Sequence, residues 1–289
     1  HLLSVATEHR AVLDPLESLS KQNYSVDILS VNELGELDLE ELEKKIQKST
    51  KIVSIMLANN EIGTIHPIEK ISKICKQKSV LLHCDATQAL GRIKIDVNTL
   101  GVDLLSISAH KCYGPKGVGA LFVRPRVVLA PQIEGGGHER DLRSGTLNTL
   151  GISGFGVAAE LADTLQATDA EQLNRLSARL MKQLEDELGE IILNGSSTKR
   201  LPGSINISIP SISNERLLAK IQTKLAFSLA SACQSAKKEP SHVLSALGIE
   251  KSRISSSIRL SIGRYSTENE IDRAANILTK AVKQLRQKT

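Results

Sequence analysis

The sequence predicts an α/β fold whose large domain is built on a mostly parallel sheet. Two observations carry this reading. Over the first two-thirds of the chain, short apolar runs alternate with segments of helical spacing. Runs of that kind read as strands buried on both faces and joined by crossover helices. From about Gly154 the pattern changes to a leucine stripe, alternating strands and a final amphipathic segment. That second pattern reads as a smaller α+β domain packed on the first. The expected division is 1–153 and 154–289.

The elements follow in order. Residues 1–6 (HLLSVA) read as the middle of a strand with no initiating Met, so a segment upstream is expected to be missing. Strands are expected at 26–31, at the β-branched run 52–57, at 80–84, at 102–107 and, after a glycine loop, at 118–123. Helices are expected at 37–47 and 68–77. In the second half, Leu173, Leu176, Leu180, Leu184 and Leu188 share one helical stripe. The breaker Pro202-Gly203 precedes the alternation Ile205, Ile207, Ile209, and a short helix is expected at 215–221. Residues 224–233 lead into a polar loop at 234–240. An alternating strand at 258–262 and a last helix carrying Ile271, Ala275, Leu278 and Val282 complete the chain.

Composition narrows the function. An apolar fraction of 40% and a charged fraction of 24% are those of an ordinary globular protein. The chain lacks a run of about 18 apolar residues, which argues against a membrane span. The net charge of +5 is mild, there is no Trp, and only three Phe and three Tyr are available to stack on bases. Direct nucleic-acid binding is therefore not expected. The four cysteines show neither CxxC pairing nor His/Cys metal spacing, so no metal site and no disulfide framework are expected. Isolated cysteines suit a reducing compartment such as the cytoplasm.

The polar punctuation falls at the strand ends. Ala58-Asn59-Asn60-Glu61 follows one apolar run, Asp85-Ala86-Thr87-Gln88 a second, and Ser108-Ala109-His110-Lys111 a third. Ligands of such sheets bind beyond the carboxyl ends of the strands. A lysine beside small residues and a glycine-rich turn can be held against a carbonyl cofactor as a Schiff base, and Lys111 is the candidate. The alternative is a solvated loop lysine. Pyridoxal phosphate also needs an acid at its ring nitrogen, which Asp85 could supply through a charge-assisted bond unless it serves as a helix cap. Gln88 and Asn60 suit the phenolic oxygen, and Ser108 and His110 suit phosphate oxygens. His9, after the first strand, could lie over the ring and move protons, or could simply pack or cap.

Taken together, ATEHRAVL, ANNEIG, HCDATQALG, SISAHKCYGPKGVGAL, GGGHERDLRSGTLN, SACQSA and SSIRLSIGR resemble the class V aminotransferase superfamily. More closely they resemble cysteine desulfurases of the iron–sulfur-cluster type. The resemblance runs from the first residues to the last helix. It implies the PLP-dependent transferase fold type I, with a seven-stranded type of large-domain sheet, and a homodimer with pyridoxal 5'-phosphate on Lys111. It assigns stacking to His9, ring-nitrogen pairing to Asp85, phenolic-oxygen contacts to Gln88 and phosphate contacts to Ser108 and His110. Asn60 falls near substrate and ring. Thr146 would reach the phosphate of the other subunit's cofactor, and Arg259 would clamp the substrate carboxylate, a task suited to bidentate guanidinium geometry. Cys233 falls in the family's nucleophile loop, where an exposed thiolate is required. Cys75, Cys84 and Cys112 read as buried fillers.

The implied reaction converts L-cysteine to L-alanine and leaves a persulfide on Cys233 for a sulfur-acceptor protein. Two departures from the family pattern stand out. The N-terminal segment that supplies part of the phosphate cup is expected to be absent, and the nucleophile loop reads LASACQSA rather than SGSACTSA. Other readings are a selenocysteine lyase, an aminotransferase of the same class, or a non-catalytic sulfur-relay scaffold.

Overall fold

The computed structural model describes residues 1–229 and 240–287. The first half alternates strand and helix. β1 (Leu2–Val5) is followed by α1 (Arg10–Lys21), β2 (Val26–Leu29), α2 (Leu39–Lys45), β3 (Ile52–Ser54), α3 (Ile68–Gln77), β4 (Leu81–Asp85), α4 (Val97–Leu100) and β5 (Leu104–Ser108). A 3-10 turn, Ala109–Lys111, leads through the glycine loop to β6 (Gly119–Val123).

These strands form one sheet in the order β2-β1-β3-β4-β5-β6. The first five are parallel, and β6 returns antiparallel beside β5. The sheet has six strands among the described residues, one fewer than the seven-stranded type expected. Strand pleating puts Leu3, Val5, Val53, Leu82, Cys84 and Leu105 on one face, where Leu42, Ile68, Ile71, Cys75 and Leu100 of α2, α3 and α4 cover them. Right-handed crossovers running the other way place α1 on the opposite face. Asp38 accepts from the Glu40 and Glu41 amides and so starts α2; Asp96 does the same for α4.

The second half begins inside a 40-residue helix, α5 (Thr149–Leu188), whose first turn is capped by Asn148. Then come β7 (Ile192–Leu193), β8 (Ser204–Ser208), α6 (Asn214–Ile221), β9 (Ser228–Leu229), α7 (His242–Ala246), α8 (Lys251–Ile254), β10 (Ser257–Ser261) and α9 (Glu268–Arg286). The strands pair antiparallel in the order β7-β8-β10-β9. The leucine stripe read from the sequence packs on this sheet: Leu173, Leu176, Leu180, Leu184 and Leu188 meet Ile205, Ile207, Ile258, Ile271 and Leu278. Thr267 and Glu270 form a capping box at the start of α9. The earlier turns of α5 belong to another cluster, where Phe155, Ala158 and Ala162 rest on Ala109 and Cys112. Among the described residues no helix is long and apolar enough to cross a membrane.

Candidate active site

Four parallel strands end along one edge of the first sheet. β1 leads into Thr7, Glu8 and His9; β3 leads into Asn59, Asn60 and Glu61; β4 ends on Asp85; β5 ends on Ser108. Ligands of open α/β sheets sit where the strand order reverses. Here the reversal lies between β1 and β3, the strands that lead to His9 and Asn60.

Asn59 ties those two ends together. Its side-chain amide donates to the Thr7 carbonyl at 2.8 Å, while its Oδ1 accepts from the Glu61 and Ile62 amides at 2.8 and 2.9 Å. Asn60, next to it, has a buried Oδ1 with no hydrogen-bond partner among the described residues, and the same holds for Thr7 Oγ1 and Glu8 Oε1. Buried polar atoms are nearly always paired. Three orphans at adjoining strand ends mark a place that a polar ligand would complete. His9 caps α1, its Nδ1 accepting from the Ala11 amide at 3.1 Å. The capping role is thus real, and it fixes one edge of the ring.

Asp85 closes its own turn. One carboxylate oxygen accepts from the Thr87 amide at 2.9 Å and closes a turn; no helix starts there, so Asp85 is not a helix cap. The other oxygen takes no hydrogen bond among the described residues and stays available. Gln88 sits half-buried on the same turn. Two residues before Asp85 on the same face, His83 is hydrogen-bonded at 2.8 Å to Ser54 through Nδ1 and at 2.8 Å to Ser106 through Nε2. Burial pushes the His83 pKa down, although the Asp85 charge opposes this. Burial also lifts the Glu8 carboxyl to about 8, and the nearby Asp85 charge adds to the rise. Two carboxyls in a site of low dielectric do not both ionise easily.

Lys111 closes the 3-10 turn after β5 and is exposed. The loop beyond it returns tightly: the Gly114 amide donates to the Ala109 carbonyl at 2.8 Å. A Cβ at Gly114 would stand 2.9 Å from that oxygen, and one at Gly119 only 2.7 Å from the Ile107 carbonyl. The glycines are therefore steric requirements of the lysine's loop. Ser108 Oγ and His110 Nδ1 share a hydrogen bond of 2.7 Å. Tyr113 has φ of 68°, and its hydroxyl accepts from the Arg264 amide at 2.6 Å. Arg264 is in turn paired with the buried Asp169 of α5 at 2.6 Å.

Arg259 brings the second sheet to this edge. It lies on β10, in register with Asn206 of β8 and Ser228 of β9, and its Nη1 donates to the Asn60 carbonyl at 3.2 Å. Thr146 is exposed in the segment between β6 and α5, with no hydrogen bond to the strand-end groups among the described residues. Cys233 lies outside the described residues. Cys75, Cys84 and Cys112 are free and buried, as fillers should be, and burial raises the pKa of each. Among the described residues no cluster of three or more His, Cys, Asp or Glu is arranged to hold a metal ion.

Sequence reasoning passed over four residues at this edge. Glu61 accepts from Ser241 Oγ at 2.5 Å. Burial raises its pKa to about 7, opposed by that bond and by the Arg259 charge. His242 Nε2 donates to the Glu8 carbonyl at 2.9 Å. A carboxylate directly after two asparagines, and Ser-His after Pro240 at a helix start, were the available signals. The contacts themselves span 180 and 234 positions, beyond any spacing rule.

The edge therefore gathers an amine, three carboxyls, imidazoles, amides and a guanidinium, a set able to bind an amino acid and move its protons. Comparison with known proteins gives the family. The family model for aminotransferase class-V matches residues 1–274. A cysteine desulfurase IscS of Anaeromyxobacter sp. (strain Fw109-5) is 48% identical over 289 residues, covering 99% of this chain and 71% of the relative. One of Rickettsia massiliae is 42% identical, over 99% of this chain and 70% of the relative. A solved structure described as a NifS-like protein superposes with a TM-score of 0.91 at 35% identity, over 98% of this chain and 75% of that one. With the strand order, the lysine loop and these likenesses together, the chain belongs to the aminotransferase class-V family.

Proposed function

We propose that this chain is a pyridoxal 5'-phosphate-dependent cysteine desulfurase. The observation that supports the reading is the shared edge: His9, Asn60, Asp85 and Lys111 lie at the carboxyl ends of four neighbouring strands, β1, β3, β4 and β5, and the strand order reverses between the first two. The names of the relatives support the same activity.

The residues present fit the cofactor. Asn60 Oδ1 is buried and unpaired, and Asp85 keeps one oxygen free beyond its own turn. In this reading Lys111 Nζ holds the cofactor covalently, Asp85 keeps a proton on the ring nitrogen, Gln88 and Asn60 contact the phenolic oxygen, and His9 stacks on the ring. Ser108 and His110 hold phosphate, joined by Thr146 from a second subunit of a homodimer. When bound, the cofactor supplies an electron sink for the substrate Cα.

The chain's own groups then act in sequence. Arg259 holds the carboxylate of L-cysteine. Lys111 Nζ, freed once the substrate amine has taken its place on the cofactor, would take the Cα proton. The Cys233 thiolate attacks the substrate sulfur, so that an S–S bond forms as the Cβ–S bond breaks toward carbon. Cβ is protonated, with His9 managing the proton, Lys111 would return a proton to Cα, and L-alanine leaves as Lys111 regains its place. The persulfide on Cys233 passes to a sulfur-acceptor protein, in cytoplasmic iron–sulfur cluster assembly or a related thiolation. Residues 1–153 form the cofactor domain and 154–289 the smaller domain, with α5 straddling the division.

Anaerobic incubation of the full-length holoenzyme with L-cysteine, followed by mass analysis of the Cys233 peptide and an alanine assay, tests the proposal. One added sulfur on Cys233 with stoichiometric alanine is expected. A Cys233→Ser variant that released sulfide at the parental rate would overturn it. Lys111→Ala should abolish the visible band of the bound cofactor.

A further inference from the structure

The buried Glu61 carboxyl lies within reach of the Arg259 charge, yet neither a hydrogen bond nor an ion pair within 4.0 Å joins the two. Its Oε2 is taken by Ser241 Oγ at 2.5 Å, and Ser241 is itself fixed because its Oγ accepts from the Leu244 amide at 3.1 Å at the start of α7. The Glu61 backbone is held as firmly: its amide donates to Asn59 Oδ1, and its carbonyl accepts from Asn206 Nδ2 at 3.2 Å. Arg259 meanwhile uses Nη1 on the Asn60 carbonyl. Its Nε and Nη2 donate to nothing among the described residues. Those two donors are the edge of a guanidinium that grips a carboxylate with two parallel bonds.

An arginine next to a carboxylate ordinarily pairs with it, and a paired guanidinium is a poor receptor for a second carboxylate. We infer that the Ser241–Glu61 hydrogen bond tethers the Glu61 carboxyl away from Arg259, which keeps the Arg259 fork open for the substrate carboxylate. Glu61 and Ser241 are then positioning residues that set how strongly an amino-acid substrate is held. This rests on the reading of Arg259 as the carboxylate clamp. The charged group facing Glu61 is Arg259 on β10. α7 presents the neutral Ser241 hydroxyl and β8 the neutral Asn206 amide.

The test is a mutant cycle in the full-length holoenzyme, run at one and at two units above the Glu61 value of about 7, because losing the Ser241 bond raises that value further. The non-reacting probe is 3-mercaptopropionate, which carries the thiol and carboxylate of cysteine without the amine. Its Kd by calorimetry is read beside KM and kcat for L-cysteine. Ser241→Ala frees Glu61 to occupy the fork, so Kd and KM should rise about 3- to 10-fold while kcat changes less than about twofold. Adding Glu61→Gln should bring both constants back to within about twofold of the Glu61→Gln single variant. A helix start damaged by the loss of Ser241 would not be repaired by that second change, so the rescue separates positioning from folding. If Ser241→Ala leaves Kd unchanged, or if the double variant binds as poorly as Ser241→Ala, the inference is wrong. Arg259→Ala tells the two layers apart. Probe binding equal to the parent in that variant removes the clamp reading and the inference with it. Loss of binding in Arg259→Ala without an effect of Ser241→Ala removes the inference alone.

Discussion

His242 donates to the backbone carbonyl of Glu8 at 2.9 Å, joining the start of α7 to the residue just beyond β1. The bond holds the Glu8 backbone in place and does not involve its side chain. The Glu8 carboxyl takes its neighbour's amide, His9 N–H, at 3.2 Å, and the Met56 amide joins it in lowering the pKa against burial.

The Glu8 carboxyl therefore titrates late. Its value rises from 4.5 to about 8, first through burial and then through Asp85. Between those values the folded chain holds a proton that the unfolded chain has released. This contribution to stability is complete below 4.5 and is lost as pH rises through about 8. Thermal melting across that window should show a falling Tm on the alkaline side, and Glu8→Gln should flatten it.

His66 predicts the opposite slope on the acid side. The ring is buried with neither nitrogen hydrogen-bonded, and burial lowers its pKa from 6.5 to about 4. Below 6.5 the unfolded chain gains a proton that the folded ring refuses, so stability is lost as pH falls toward 4. Replacing His66 with Phe should reduce that acid loss, measured as Tm from neutral pH downward.

The Asp169–Arg264 pair is buried on both sides, with side chains 8% and 10% exposed. Removing one member strands a charge in an apolar setting. Asp169→Ala should cost about 3–5 kcal/mol in urea unfolding. An exposed pair such as Lys21–Glu17 should cost about 1 kcal/mol or less when broken.

Gly119→Ala should harm the lysine's loop directly. The added Cβ meets the Ile107 carbonyl at 2.7 Å, and that oxygen is backbone that cannot swing aside. A loss of about 1–3 kcal/mol is expected, the scale of overpacking. Cofactor loading should fall with it, read as the visible band per mole of protein.

Much of the fold was legible because it is written in periodicity. The helix expected at 68–77 is α3, residue for residue, since Ile68, Ile71 and Cys75 mark its buried face. Residues 52–57 read as one strand, but only Ile52–Ser54 pair as a ladder; beyond them the Ile55 and Leu57 amides still reach the His83 and Asp85 carbonyls. α1 gave no clear signal: Pro15 lies inside it, and among its residues only Leu16 is buried. α5 starts well before its leucine stripe, because Gly151, Gly154 and Gly156 interrupt the apolar period that its first turns would otherwise show. In the candidate site, residues at strand ends could be found from punctuation. Ser241 and His242 could not, nor could their contacts with Glu61 and the Glu8 backbone, because those contacts join opposite ends of the chain.

α5 has a mechanical consequence. Its late turns are bedded in the second sheet's core, and its early turns press on Ala109 and Cys112, which flank His110 and Lys111. One unbroken rod thus serves as an axle between the arginine-bearing sheet and the lysine-bearing loop. A tilt of the second sheet would flex that rod or drag its early turns along, which couples position 259 to position 111 alongside the direct bond from Arg259 to the Asn60 carbonyl.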